Sequence, residues 1–234
     1  MGHRVQECGP GSSCRNFKVL PMTDAFRQAI LDVHNEARSR VARGEEAPQP
    51  PAANMNVLNW NEELEFIAQC WANACQYRHD KCRRTEHLVV GQNIARLQRT
   101  LSGDGLEDVE VIKYLIRQWY NEVEDFHPAN VRYHTDGGPI VGHYTQMVWA
   151  KIQYIGCAGS LFKNGDWYAI LFVCNYGGPT TGGNLQGAQV YEVGKPCSQC
   201  PYGTTCNENY KGLCGINYPV QTCNSTQNSA LGDI

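Results

Sequence analysis

Apolar residues recur every three or four positions from Asp24 to about Arg43, at Phe26, Ile30, Val33, Ala37 and Val41. That period predicts a helix with one apolar stripe, capped by Thr23 and stopped by Gly44. A second helix is predicted after Asn61, a suitable cap, with Glu62 and Glu63 in the first turn, where negative charge is favoured. Leu64, Ile67, Ala68, Trp71 and Cys75 mark its buried side. A third helix is predicted from about Glu107 to Asp125, with Val111, Leu115, Trp119, Val123 and Phe126 inward. Val89 to Ala95 reads as a short strand. Ile155 to Phe162 and Trp167 to Tyr176 read as a hairpin, with Asn164-Gly165 signalling a type I′ turn. Asn164-Gly165-Asp166 also spells an integrin-binding tripeptide, but the turn explains it more cheaply. The stretch Gly142 to Trp149 fits either a short helix or a strand, and its length does not decide.

The two ends break this pattern. Residues 1–22 form a turn-rich segment whose Cys8 and Cys14 are expected to tether it to the body. Residues 23–194 carry the periodic elements. After Pro196 aliphatic residues become sparse and Cys197, Cys200, Cys206, Cys214 and Cys223 crowd together, so residues 195–234 read as a small extension held by covalent links.

Composition narrows the function classes. The chain has 234 residues, enough for one full core plus an appendage. Net charge is -3 with no basic block, which argues against nucleic acid. The longest apolar run, Trp167 to Cys174, falls far short of the roughly 20 residues that span a bilayer. Twelve cysteines point to an oxidising, extracellular setting. Cys197-x-x-Cys200 lacks the second pair that a zinc ribbon needs. Met1-Gly-His-Arg has no apolar segment behind it, so the chain reads as a mature form. Asn224-Ser225-Thr226 is a glycosylation acceptor sequence and agrees with secretion. A monomer is expected.

Several motifs resemble one family. Gly142-His143-Tyr144-Thr145-Gln146-Met147-Val148-Trp149 resembles a signature of the CAP superfamily, which holds cysteine-rich secretory proteins, antigen-five proteins and pathogenesis-related proteins. His34-Asn35-Glu36-Ala37-Arg38 resembles its first-helix pattern, and Leu171-Phe-Val-Cys174-Asn-Tyr176 its second signature. Pro48-Gln-Pro-Pro51 through Leu58-Asn-Trp60, and Cys75 through His79 to Cys82, resemble the arthropod venom and salivary antigen-five subgroup. The tail resembles a cysteine-rich hinge without the helical module that follows it in some members. The resemblance implies an α+β fold, a three-layer α/β/α sandwich with a short antiparallel sheet and a disulfide-rich C-terminal extension.

It also implies bridges Cys8–Cys82, Cys14–Cys75 and Cys157–Cys174. Alternate pairing in the tail gives Cys197–Cys206 and Cys200–Cys214, and elimination leaves Cys70–Cys223. The family's central cleft holds two histidines and two acids. Carried over, these are His79, His143 and Glu122, with Gln92 at the second acidic position. His87 is an alternative to His79, but the flanking cysteines favour His79. His34 reads as a hydrogen-bonded structural histidine rather than a ligand. Two imidazoles with a carboxylate or water suit zinc, and also copper. A hydrolase is disfavoured because an amide at position 92 cannot take a proton from water. The expected function is therefore a secreted, non-enzymatic protein of venom or saliva type. It binds a divalent metal at His79, His143 and Glu122, and small lipids between helices, and acts on an extracellular host protein in defence or haemostasis. The alternatives are a metal-dependent peptidase using the same cleft and an ion-channel ligand acting through the tail.

Overall fold

The computed structural model describes residues 8–12, 14–100, 102–135 and 138–220. Asn224 and Cys223 lie outside the described residues.

The sheet comprises β1 (Arg15–Val19), β2 (Asn59–Trp60), β3 (Val89–Arg99), β4 (Tyr154–Asn164) and β5 (Trp167–Gly178). Its order is β1-β4-β5-β3, with antiparallel pairing along that path, and β2 adds to β4 in parallel. Among the described residues four α-helices flank it: α1 (Asp24–Ala42), α2 (Glu62–Ala72), α3 (Val109–Asn121) and α4 (Gly142–Met147). Alternation along β5 sorts them into layers, because successive strand side chains point to opposite faces. Ile170, Phe172, Cys174 and Tyr176 join the main core with α1, α3 and α4. Ala169, Leu171 and Val173 pack with Ala68 and Ala72 of α2. The result is helix, sheet, helix: a three-layer sandwich. Among the described residues no helix is long and apolar enough to cross a membrane.

The caps behave as their chemistry requires. Thr23 accepts from the Phe26 N–H, Asn61 from Leu64 and Asp108 from Glu110. Gly156 lets α2 lie close against β4, since a Cβ there would meet the backbone of Asn61, Leu64 and Glu65. The hairpin differs from expectation by one residue. Asn164 pairs with Trp167, so the loop is Gly165-Asp166, and Gly165 has φ 62 in its first position. Glycine with positive φ there belongs to a type II′ turn, not type I′.

The inward face of α1 also departs from its apolar stripe. Phe26, Val33 and Ala37 are only partly buried, whereas His34, Asn35 and Arg38 are buried. Each polar group is satisfied. Asn35 exchanges hydrogen bonds with the Leu58 backbone. Arg38 donates to the carbonyls of Asn56, Met147, Trp149, Ala150 and Ile152. The guanidinium therefore does for two irregular segments what a strand partner does elsewhere.

Among the described residues five disulfides are formed. Cys14–Cys75, Cys157–Cys174, Cys197–Cys206 and Cys200–Cys214 are as expected. The other two expected bridges, Cys8–Cys82 and Cys70–Cys223, are not: Cys8 pairs with Cys70, and Cys82 is a free, exposed thiol. The reason lies in how the N-terminal segment docks. Gly11 N–H donates to the Asn73 carbonyl and Asn73 donates to the Cys8 carbonyl, which lays the segment along the end of α2 and beside Cys70. The C-terminal extension is seated on the body rather than hinged from it. Tyr210 donates to Asp32 at 2.6 Å, Ser39 to the Lys211 carbonyl at 2.6 Å, and Leu213 is wholly buried in the main core.

Candidate functional site

The expected site residues fall into two hydrogen-bonded pairs, His143 with Glu122 and His79 with Gln92. The first forms where α3 gives way to α4. α3 ends at Asn121, and Glu122–Asp125 continue as a tighter 3-10 turn. That turn aims Glu122 at the start of α4. Its Oε2 accepts the backbone N–H groups of His143 at 2.8 Å and Tyr144 at 3.1 Å, and its Oε1 lies 2.6 Å from His143 Nδ1. The α4 residue at 143 thus lies in a helix, which settles the open choice for that stretch. The imidazole is further fixed by stacking on Trp119, at 5.9 Å between centroids and 14° between planes. Trp119 stacks in turn on Phe172 of the sheet.

The second pair lies on the loop after α2. His79 Nδ1 is 3.1 Å from Gln92 Oε1, which also accepts the Asp80 N–H at 3.1 Å. Gln92 Nε2 donates to Asn175 Oδ1, and Asn175 donates to the Leu64 carbonyl in α2. His87 takes no part: its side chain is mostly exposed and its nearest charge is Glu86.

Gln92 and Asn93 are neighbours on β3, so their side chains leave on opposite faces. Gln92 serves His79. Asn93 donates to the His143 carbonyl and to Tyr176 Oη. Tyr176 then bonds His34 Nε2 at 2.8 Å, and His34 Nδ1 faces the Ile30 carbonyl at 2.8 Å. The carbonyl fixes the proton on Nδ1, so Tyr176 is the donor to Nε2. Burial lowers His34 to about 4, against the opposing effect of the Ile30 carbonyl and with help from the Arg38 charge. Burial also raises the Tyr176 phenol. Both are therefore neutral and structural across the physiological range. Asn93, Tyr176, Asn175 and Trp119 were not picked out as site residues from sequence. Asn175 and Tyr176 lie in a quoted motif, Asn93 in the expected strand and Trp119 on the inward side of the expected third helix, and only the fold shows which partner each serves.

His79, His143 and Glu122 do not close into one ligand triad. Among the described residues, the group of His, Cys, Asp or Glu ligand atoms within 4.8 Å of one another is Cys197, Cys200 and Cys214, all held in disulfides. The cause is local. Glu122 spends both oxygens on α4. What the pairs share is tautomer control. Each Nδ1 faces an oxygen acceptor, which in the neutral ring puts the proton there and leaves Nε2 with a lone pair. Among the described residues neither Nε2 has a protein hydrogen-bond partner. Metal-bound histidines are commonly held in this way by carboxylate or carbonyl oxygens. As donors, imidazoles held in this way suit a divalent cation, with Glu122 orienting one ring and Gln92 the other.

A model of the CAP, or cysteine-rich secretory protein, family matches residues 31–176. Venom allergen 5 of Vespula vidua is 45% identical over 180 residues, covering 75% of this chain and 83% of its own. Venom allergen 3 of Solenopsis invicta is 44% identical over 195 residues, covering 80% of each. Among solved structures, NaASP2 with Zn2+ is 30% identical with a TM-score of 0.65, covering 88% of this chain and 100% of that one. BmVAL-1 aligns with a TM-score of 0.70 at 26% identity, covering 85% and 97%.

Proposed function

This chain belongs to the CAP family of cysteine-rich secretory proteins, and we propose that it is a secreted, venom- or saliva-type antigen-five protein that acts by binding. In this reading it holds a divalent cation, zinc or copper, through Nε2 of His79 and His143. The observation that carries it is the matched fixing of both Nδ1 atoms, by Glu122 and by Gln92. The relative NaASP2 was solved with Zn2+, which agrees. A bound cation would supply a positive charge able to bind or polarise a ligand oxygen. This chain's residues orient the two imidazoles and set their tautomers.

Binding is favoured over peptidase activity by how the other two groups are used. Gln92 carries an amide, which accepts no proton at neutral pH, and both its ends are engaged. Glu122 accepts three N–H groups, so neither residue is disposed to take a proton from an attacking water. A lipid lying along α1 has less support, because the inward face of that helix is occupied by His34, Asn35 and Arg38. Channel binding through the tail has less support as well, since the tail is fastened to α1 through Tyr210 and Ser39. The partner in this reading is an extracellular host protein.

Isothermal titration with zinc and with copper tests the site. Wild type is expected to bind, and His79→Ala and His143→Ala each to lose most of the affinity. Undiminished binding in both variants would place the ligands elsewhere and end this reading.

A further inference from the structure

The loop that carries His79 has a second feature, which the metal reading does not use. The expectation of no basic block does not hold for one short run: residues 78–84 read Arg-His-Asp-Lys-Cys-Arg-Arg, four permanent cations against one carboxylate. The net charge of the chain is -3, so this concentration is local and runs against the whole. The fold adds to it. Arg96 leaves β3 to stack on Tyr77, with its guanidinium carbon 5.0 Å from the ring centroid. Arg78 stacks on Trp71 at 5.8 Å. Among the described residues, none of Arg78, Lys81, Arg84 or Arg96 comes within 4.0 Å of a carboxylate, and all four are exposed.

The loop is also held in one shape. Cys75, at its start, is bridged to Cys14. Asp80 Oδ1 accepts the Cys82 N–H, which turns the carboxylate back onto its own loop. Arg83 donates to the carbonyls of Asp80 and Val90 and ties the loop to β3. Three of these five cations thus have their positions fixed, two by aromatic rings and one by carbonyls. Unpaired cations held at fixed spacing are what a dense, repeating anion needs, since little side-chain entropy remains to be lost on binding.

We infer that loop 78–84 with Arg96 is a docking site for a sulfated polysaccharide. Short runs rich in Lys and Arg serve nucleic acid or heparin-like chains. The five disulfides place the protein where sulfated polysaccharide, not nucleic acid, is the polyanion at hand. A narrow site suits a flexible chain that touches one loop, whereas a broad polyanionic surface would also meet the net negative charge of the rest. The inference does not rest on the metal reading, and no histidine is altered in its test.

Heparin-column retention in a salt gradient, with titration of a heparin oligosaccharide, tests it. The double variant Lys81→Ala/Arg84→Ala changes two exposed side chains and spares Arg83. A control, Lys195→Ala/Lys211→Ala, removes the same charge from the C-terminal extension. Wild type and control are expected to be retained alike, and the loop variant to elute at lower salt with affinity about tenfold weaker. Its near-ultraviolet circular dichroism should match wild type. Equal weakening in both double variants would reduce the effect to net charge and overturn the site. So would an unretained wild type, equal binding of desulfated heparin, or binding to phosphatidylserine vesicles without binding to heparin.

Discussion

Glu122 holds His143 at two points, with Oε1 2.6 Å from the ring Nδ1 and Oε2 2.8 Å from the backbone nitrogen. One carboxylate therefore both caps α4 and orients the imidazole. Removing it should cost on both counts. Glu122→Ala is expected to lower stability by about 1–2 kcal/mol, as for a lost cap, and to weaken zinc binding by about 10–100-fold. Glu122→Gln keeps one acceptor oxygen and should fall between the two. Urea unfolding and zinc titration read the two effects separately. Wild-type stability in Glu122→Ala would mean that the carboxylate does not hold the helix.

Much of the architecture follows from local pattern. The stop at Gly44, the caps at Thr23 and Asn61, and the hairpin need only nearest neighbours along the chain, and these are present in the sequence. Three features needed more. The hairpin turn slipped by one residue because Asn164 extends the β4 ladder to pair with Trp167. The third helix was expected to run through to Asp125, but it tightens at Glu122, where the carboxylate is drawn to α4. The buried face of α1 is polar because distant carbonyls, from Asn56 to Ile152, need donors. None of these partners lies within a window that periodicity can survey.

The site was legible as residues but not as geometry. His79, Gln92, Glu122 and His143 were reached by family resemblance, and all four are engaged with one another in pairs. That His79 belongs with Gln92 depends on which face of β3 the Gln92 side chain leaves, and that His143 belongs with Glu122 on how the turn after α3 meets α4. A sequence gives the alternation of Gln92 and Asn93 but not the direction of the first step.

His34 sets a pH dependence. Its folded pKa is about 4, against an unfolded value of about 6.5, because burial disfavours the imidazolium. Between these values the unfolded chain binds more protons, so stability rises with pH across that window. The contribution is fully present above about pH 6.5, is lost as pH falls through the window, and changes no further below about pH 4. Over the whole window it amounts to about 3 kcal/mol. Carboxylates add their own dependence, so the measurement is a comparison. Urea midpoints at pH 7 and pH 4.5 should differ more for wild type than for His34→Gln. Equal differences would mean that His34 does not titrate as its burial requires.

Gly156 governs how closely α2 meets the sheet. A Cβ there would run into backbone atoms of Asn61, Leu64 and Glu65, which cannot rotate away as a side chain can. Gly156→Ala should therefore push α2 outward, with a cost of about 1–3 kcal/mol. Gly9→Ala is the matched control, since nothing lies within 4 Å of a Cβ at that position. Thermal unfolding of the two variants decides. A Gly156→Ala variant as stable as Gly9→Ala would show that the layers have slack.

The pairing of Cys8 separates two arrangements of the N-terminal segment. Its Cα lies 4.9 Å from that of Cys70, inside the range a disulfide spans, and Asn73 holds the segment in that position. Non-reducing peptide mapping should release a Cys8–Cys70 pair. Cys82, exposed and unbridged, should take up iodoacetamide without denaturant. The two cysteines should also differ in mutational cost. Cys70→Ser opens a loop with a sequence separation of 62 and should lose about 2–4 kcal/mol, whereas Cys82→Ser should stay within about 0.5 kcal/mol of wild type. A Cys8–Cys82 peptide in the map, with Cys70 labelled instead, would move the segment off the end of α2. The bonds that Asn73 makes to Cys8 and Gly11 would then have to be given up, and Asn73→Ala would cost only what its Oδ1 gains from Gln69 and Ser160.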